Sequence, residues 1–253
     1  MRRFSLRRPA AATGQPFHRL TPLHAWHFAR SLNLAKTDAI DAAMLARFGR
    51  ERALAPAPAF EVERAELAEL IGRRDQLKHM ETREKNRLSK AFSAVVRDDI
   101  QAQLRTLARR VARIEAATQA FLKAHPGLAR TLALLESIPG VGRVTGLTLI
   151  AAMPELGTSD RRAIASLGGL APRARDSGTW CGQRHIGDGR RHVRRALYMA
   201  ALSAIRTGKI APALVERMRA ETRPGKVIAI AVARKLLIIA NAVIRDQRRF
   251  KTT

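Results

Sequence analysis

Ile100–Phe121, IQAQLRTLARRVARIEAATQAF, is the stretch that decides the fold. Ile100, Leu104, Leu107, Val111, Ile114, Thr118 and Phe121 recur at alternating steps of four and three, and all but Thr118 are apolar. That spacing lays a side-chain seam along one side of an α-helix, the pattern of a coiled coil. Upstream, Leu67, Leu70, Leu77, Leu88, Ala91 and Val95 follow a similar track, with polar Arg74, Glu81 and Glu84 in its middle. The two tracks fall out of register across Val95–Ile100, where Asp98-Asp99 suit a helix start. The spacing therefore predicts an antiparallel helical hairpin, about 61–92 and 98–124, with a structural or oligomerising role.

Outward from the hairpin the chain divides by composition. His125-Pro126-Gly127 ends it, and residues 129–153 read as helix, tight turn, helix (ARTLALLES, IPGVG, RVTGLTLIAAM). A Gly-rich loop over 166–189 leads into a very basic helix over Arg190–Arg206, and one or two further helices run to Arg248. On the other side, Glu51–Phe60 (ERALAPAPAF) is a Pro/Ala connector, preceded by a short helix around Lys36–Phe48 with Thr37 as N-cap. Residues 1–35 are basic and broken by Pro9, Pro16 and Pro22. No 20–50-residue period repeats, which argues against a solenoid. The expected domains are 1–60, 61–124 and 125–253.

Of 253 residues, 47 are Lys or Arg and 21 Asp or Glu, a net charge of +26. Residues 161–253 alone hold 21 bases and 5 acids, and residues 1–37 hold seven bases and no acid. A charge of this size needs a polyanion to screen it, so nucleic acid is the leading partner class. Apolar residues at 46% support a packed core, while aromatics at 4% are too few for a protein that mainly stacks unpaired bases. A lone cysteine, Cys181, excludes a disulfide scaffold and a cysteine-rich zinc module. Met1–Gln15 is Arg-rich like a mitochondrial presequence, but Pro9, Gly14 and Pro16 interrupt any amphipathic helix. Val227–Ile244 is long enough for a bilayer, yet Arg234 and Lys235 stand in its middle, so it reads as a buried C-terminal helix rather than a membrane span.

Four constellations could carry chemistry. The Ile138-Pro139-Gly140-Val141-Gly142 turn between two apolar helices resembles a helix-hairpin-helix, in which Gly140 and Gly142 let a phosphate approach the backbone beside Arg143. An ordinary interhelical turn has the same composition. Asp38 and Asp41, three apart, share a helix face and could ligate Mg²⁺, although acids in a first turn also simply complement the helix dipole. Ser177 sits in the basic loop Arg173-Ala174-Arg175-Asp176-Ser177-Gly178, either as a nucleophile or as a plain turn residue. Arg175, Arg184, Arg190, Arg191, Arg194 and Arg195 are candidates for neutralising phosphates. His18, His24 and His27 lack an accompanying acid or cysteine and read as ordinary histidines, and Trp180 and Cys181 lie beside the serine.

Taken in order, these pieces resemble the DEDD transposases of the insertion-sequence one-ten family, relatives of the Piv-type DNA invertases. The likeness rests on Ala35–Ala42 with Leu45–Phe48, on Ser137–Gly142, on Ala165–Pro172, on Asp176-Ser177-Gly178 and on Arg194–Ala201, in unbroken order over about 23–248. It implies a RuvC-like metal domain, a coiled-coil connector and a C-terminal serine-bearing domain. In such a recombinase four acids bind Mg²⁺, a serine attacks DNA, and an element-encoded structured RNA guides the choice of DNA. Asp38 and Asp41 match the last two acids and Ser177 the nucleophile, while Gly140 and Gly142 match the hairpin that meets nucleic acid.

The front of the chain departs from that pattern. The first acid, in a Gly-x-Asp strand, and the second, a Glu, have no counterpart in residues 1–37. The expected fold is thus mainly α: a remnant of an α/β RuvC-like domain, a helical hairpin, and a helical helix-hairpin-helix and serine domain. The expected protein is a cytoplasmic, nucleoid-associated, RNA-guided transposase acting on DNA as a dimer or tetramer, inactive as written for want of two acids. The alternative is a non-catalytic nucleic-acid-binding or oligomerising protein.

Overall fold

The computed structural model describes residues 20, 22–32, 37–52, 62–173 and 185–251. They belong to two compact units, 1–62 and 63–253. In the first unit, α1 (Pro22–Ser31) packs on α2 (Asp38–Glu51) through an edge-to-face contact of Phe28 and Phe48, ring centres 4.8 Å apart. Thr37 caps α2 as its sequence predicts, its Oγ1 accepting from the Ile40 amide. No strand occurs among the described residues of this unit.

The second unit opens with the hairpin, α3 (Val62–Leu88) and α4 (Ala94–Ala124). Every seam residue of α4 is buried or half-buried, with Leu107 wholly enclosed by Leu77, Val111 and Ile114. The polar Arg74 of the upstream track reaches across to Glu115 at 2.7 Å. Two details differ from the sequence reading. The second helix begins at Ala94, four residues before Asp98, because Ser93 takes the N-cap position and its carbonyl receives the Arg97 amide. Val95 lies on the second helix and is 79% exposed, so the upstream track stops short of it. Toward the tip the helices enclose a polar cleft of about 400 Å³ between Glu84, Arg87, Asp99 and Gln103. The turn carries Phe92 almost fully in solvent.

The base of the hairpin joins the main core through Leu67, Ile71, Phe121 and Leu122. Around them pack α5 (Pro126–Glu136), α6 (Arg143–Ala152), α7 (Arg161–Leu167), α8 (Arg191–Thr207), α9 (Pro212–Ala220) and α10 (Gly225–Asp246). Pro126 opens α5 where its missing N–H is harmless. Asp160 caps α7 by accepting from the amides of Arg162 and Ala163, and those bonds hold its carboxyl below the usual range. In the core, α8 buries Ala200, Ala201 and Ala204, small residues that let neighbours approach closely. The apolar α10 has the length and composition of a membrane span, yet half of that window is buried in this core. Its Asn241 is buried and satisfied, accepting from the Gly157 amide and donating to the Ser159 carbonyl. A two-residue ladder, β1 (Pro172–Arg173) against antiparallel β2 (His185–Ile186), escapes the sequence reading, as does α7. The chain is mainly α.

Candidate nucleic-acid interface and serine loop

The turn between α5 and α6 treats its two glycines differently. Gly140 is left-handed, with φ at +88°, and a Cβ there would lie 2.7 Å from the Ala200 carbonyl oxygen and 2.8 Å from Ala204 Cβ. It is therefore pressed against the backbone of α8. Gly142 has open space around its Cα and precedes α6 as an extended N-cap without a side-chain cap. The first intrahelical bond after it is from the Gly146 amide to the Gly142 carbonyl, so the amides before Gly146 keep no partner within the helix. Arg143 opens α6 and is exposed. With Val144 and Leu147 it borders a cleft of about 200 Å³, whose opposite wall holds Ile71, Arg74 and Glu115 of the hairpin.

The segment carrying Ser177, Arg175, Arg184, Trp180 and Cys181 lies outside the described residues, but both of its stems are described. Pro172 pairs with Ile186 and Arg173 with His185. Beneath this ladder the Arg194 guanidinium donates to the Asp188 carbonyl at 2.8 Å and to the Gly169 carbonyl at 3.3 Å, one on each stem. Gly189, at φ +59°, lies so close to Gly169 that no Cβ fits between them. The Arg190 amide donates to the Leu167 carbonyl, and its guanidinium makes a two-pronged pair with Glu155, both contacts at 2.6 Å. Both partners are about three-quarters buried.

Four of the candidate arginines thus divide into three kinds. Arg190 and Arg194 hold the stems of the loop. Arg195 points back to the hairpin, contacting Asp75 at 3.0 Å and His79. Arg191 is exposed and has no carboxylate partner among the described residues. The acid that makes Arg190 structural, Glu155, escapes the motif reading. It is nonetheless the sole acid between Glu136 and Asp160, and that isolation in an apolar stretch was its signal.

Asp38 and Asp41 stand one turn apart at the start of α2, in the other unit, and Asp41 is half-buried. Among the described residues no three His, Cys, Asp or Glu side chains gather to hold a metal. Mg²⁺ commonly takes one or two carboxylates and fills its other positions with water and substrate phosphate, so two acids one turn apart are compatible with the ion but do not by themselves define a site.

Comparison with known proteins shows the family. Residues 132–216 match the family described as transposase of the IS116/IS110/IS902 family, and residues 5–97 match the DEDD transposase of IS110 type. The pilin gene-inverting protein of Moraxella bovis is 33% identical over 240 residues, covering 91% of this chain and 73% of that protein. The chain belongs to the IS110 transposase family. Its counterpart in Moraxella lacunata is equally similar, at 33% over 240 residues. An uncharacterized 43.6 kDa protein of the insertion element IS110 in Streptomyces coelicolor is 31% identical over 136 residues, or 53% of this chain and 32% of that protein. The first IS110-type match contains Ser177, the glycine turn and Arg190–Arg195, and the second contains Asp38 and Asp41. Membership of the IS110 family makes this chain a transposase or recombinase by class, with DNA as its partner.

Proposed function

We propose that the chain's C-terminal unit presents Ser177 as the nucleophile of DNA strand transfer. The observation that carries this reading is the double clamp at the loop's base, the β1–β2 ladder above and the Arg194 bridge below. With both stems so held, the segment between them begins and ends on fixed backbone, and positioning supplies much of the catalysis in phosphoryl transfer. In the reaction the serine hydroxyl gives up its proton, its oxygen bonds to phosphorus, and a DNA hydroxyl departs, conserving the phosphodiester as a phosphoserine link. Arg175 and Arg184 flank the serine in sequence and are assigned to the phosphate charge. The turn at Gly142–Arg143 offers free amides and a cation to the DNA backbone in the manner of a helix-hairpin-helix, with Arg191 beside the loop stem.

Asp38 and Asp41 are assigned to a RuvC-like acidic site, the hairpin to assembly as a dimer or tetramer, and a structured element-encoded RNA to target choice. Because residues 1–37 contain no acid to join Asp38 and Asp41 in a two-metal clamp, the 253-residue chain alone should form no covalent adduct with DNA. The test is denaturing electrophoresis of labelled DNA after incubation with Mg²⁺ and the RNA. Supplying the two missing family acids in a fused N-terminal segment should produce an adduct, and Ser177→Ala in that protein should abolish it. An adduct that survives Ser177→Ala would remove Ser177 from the reaction. The net charge of +26 would serve a second reading equally well, a non-catalytic nucleic-acid binder. Binding without an adduct even in the acid-supplemented protein would select it.

A further inference from the structure

Arg105, Arg109 and Arg113 follow one another at intervals of four on α4, all exposed, on the side away from the Leu107–Val111 seam. Four residues advance an α-helix by about 6 Å, so the three guanidinium groups form a stripe some 12 Å long. Among the described residues none of the three has a carboxylate partner; Arg109 touches the Thr106 hydroxyl alone. The hairpin's other helix is the opposite case. On α3, Lys78 and Lys85 pair with Glu81, Arg87 with Glu84, and Arg74 with Glu115. On α3 most cations are thus tied to acids of the hairpin, Arg83 being an exception, whereas the outer face of α4 is bare arginine.

The neighbours of the stripe say what it fits. Ala102, Ala112, Ala116 and Ala120 are exposed around it, so no bulky side chain keeps a ligand away and no large apolar group offers an anchor. A protein partner would need such an anchor at the centre of its interface. A nucleic-acid strand needs only evenly spaced cations, and a duplex places a phosphate every 3.4 Å of axis on each strand, or three to four over about 12 Å. Arginine also meets phosphate oxygens two at a time. We propose that the outer face of α4 is a second DNA surface, which receives the phosphate backbone of a duplex laid along the hairpin. It goes beyond the serine-loop reading, and its test needs no chemistry.

The experiment uses the full chain and two variants, Arg105→Gln/Arg109→Gln/Arg113→Gln and the corresponding triple lysine variant. Affinity is measured across a salt titration for a DNA duplex and, separately, for an RNA hairpin. Glutamine is nearly as good a helix former as arginine, so circular dichroism should be unchanged. For the glutamine variant the slope of log K against log salt should shrink by about 2 to 3 on the DNA duplex, while lysine keeps it. Loss on the DNA duplex supports the proposal, and a loss confined to the RNA hairpin would overturn it. Unchanged slopes on both probes, with helicity intact, would overturn the proposal. A photo-crosslinking residue at Ala116 in the otherwise unaltered chain gives an independent readout. It should capture the labelled probe, and failure to do so during full binding would equally count against the surface.

Discussion

An alanine at Gly140 would push a methyl group into the Ala200 carbonyl and the Ala204 side chain from a left-handed backbone. Neither contact is a flexible tip that can swing away, so Gly140→Ala should cost about 3 kcal/mol or more, seen as a large fall in melting temperature. Gly142→Ala meets open space at φ −87° and exchanges a moderate N-cap for a poor one, at about 1 kcal/mol or less. Equal effects of the two changes would show that the turn is not wedged against α8. The arginines part company in the same way. Arg190→Ala and Arg194→Ala remove bonds that hold the loop stems and should each lower stability by about 1–3 kcal/mol. Arg191→Ala should leave the melting temperature in place and weaken DNA binding at low salt. If Arg190→Ala instead flattened the salt dependence at unchanged stability, its pair with Glu155 would not be its working state.

The hairpin is the element whose sequence spoke most directly, because a seam repeated over six steps leaves little else for the side chains to do. Leu107→Asp would place a charge among Leu77, Val111 and Ile114 and should cost several kcal/mol, lowering the melting temperature and the helix signal together. An unaltered melting curve would mean the seam is not packed. The capped helix at Asp38, the two helices around the glycine turn and the buried C-terminal helix were equally legible, since caps, breakers and long apolar runs are local signals. What stayed hidden depends on partners distant in sequence. Nothing near Arg190 shows that Glu155, 35 residues earlier, will claim it, and nothing near Arg195 points to Asp75, 120 residues away. The ladder of Pro172–Arg173 with His185–Ile186 is two residues long, too short for any alternation to register. The unpaired stripe on α4 was visible as residues but not as a face, because its meaning comes from the acids that α3 keeps for its own cations.

Across the whole chain, the excess of +26 is distributed so that some cations build the protein and others are left to meet a partner. Composition counts both alike, which is why charge forecasts nucleic acid without locating it. The cleft beside Arg143, the loop stems and the outer face of α4 are three separate places where that excess is displayed. The contact of Gly140 with the backbone of α8 has a further bearing on motion. A turn seated on a helix with nothing bulkier than the Ala204 methyl between them has no soft layer to slide on, and α8 in turn carries Arg194, which bonds to both stems of the serine loop. The two segments should open as one event. Native-state hydrogen exchange should accordingly give amides of 146–150 and of 196–204 a common opening free energy and a common denaturant dependence. In Gly140→Ala both sets should lose protection by the same factor, including amides of α8 that never touch the new methyl group.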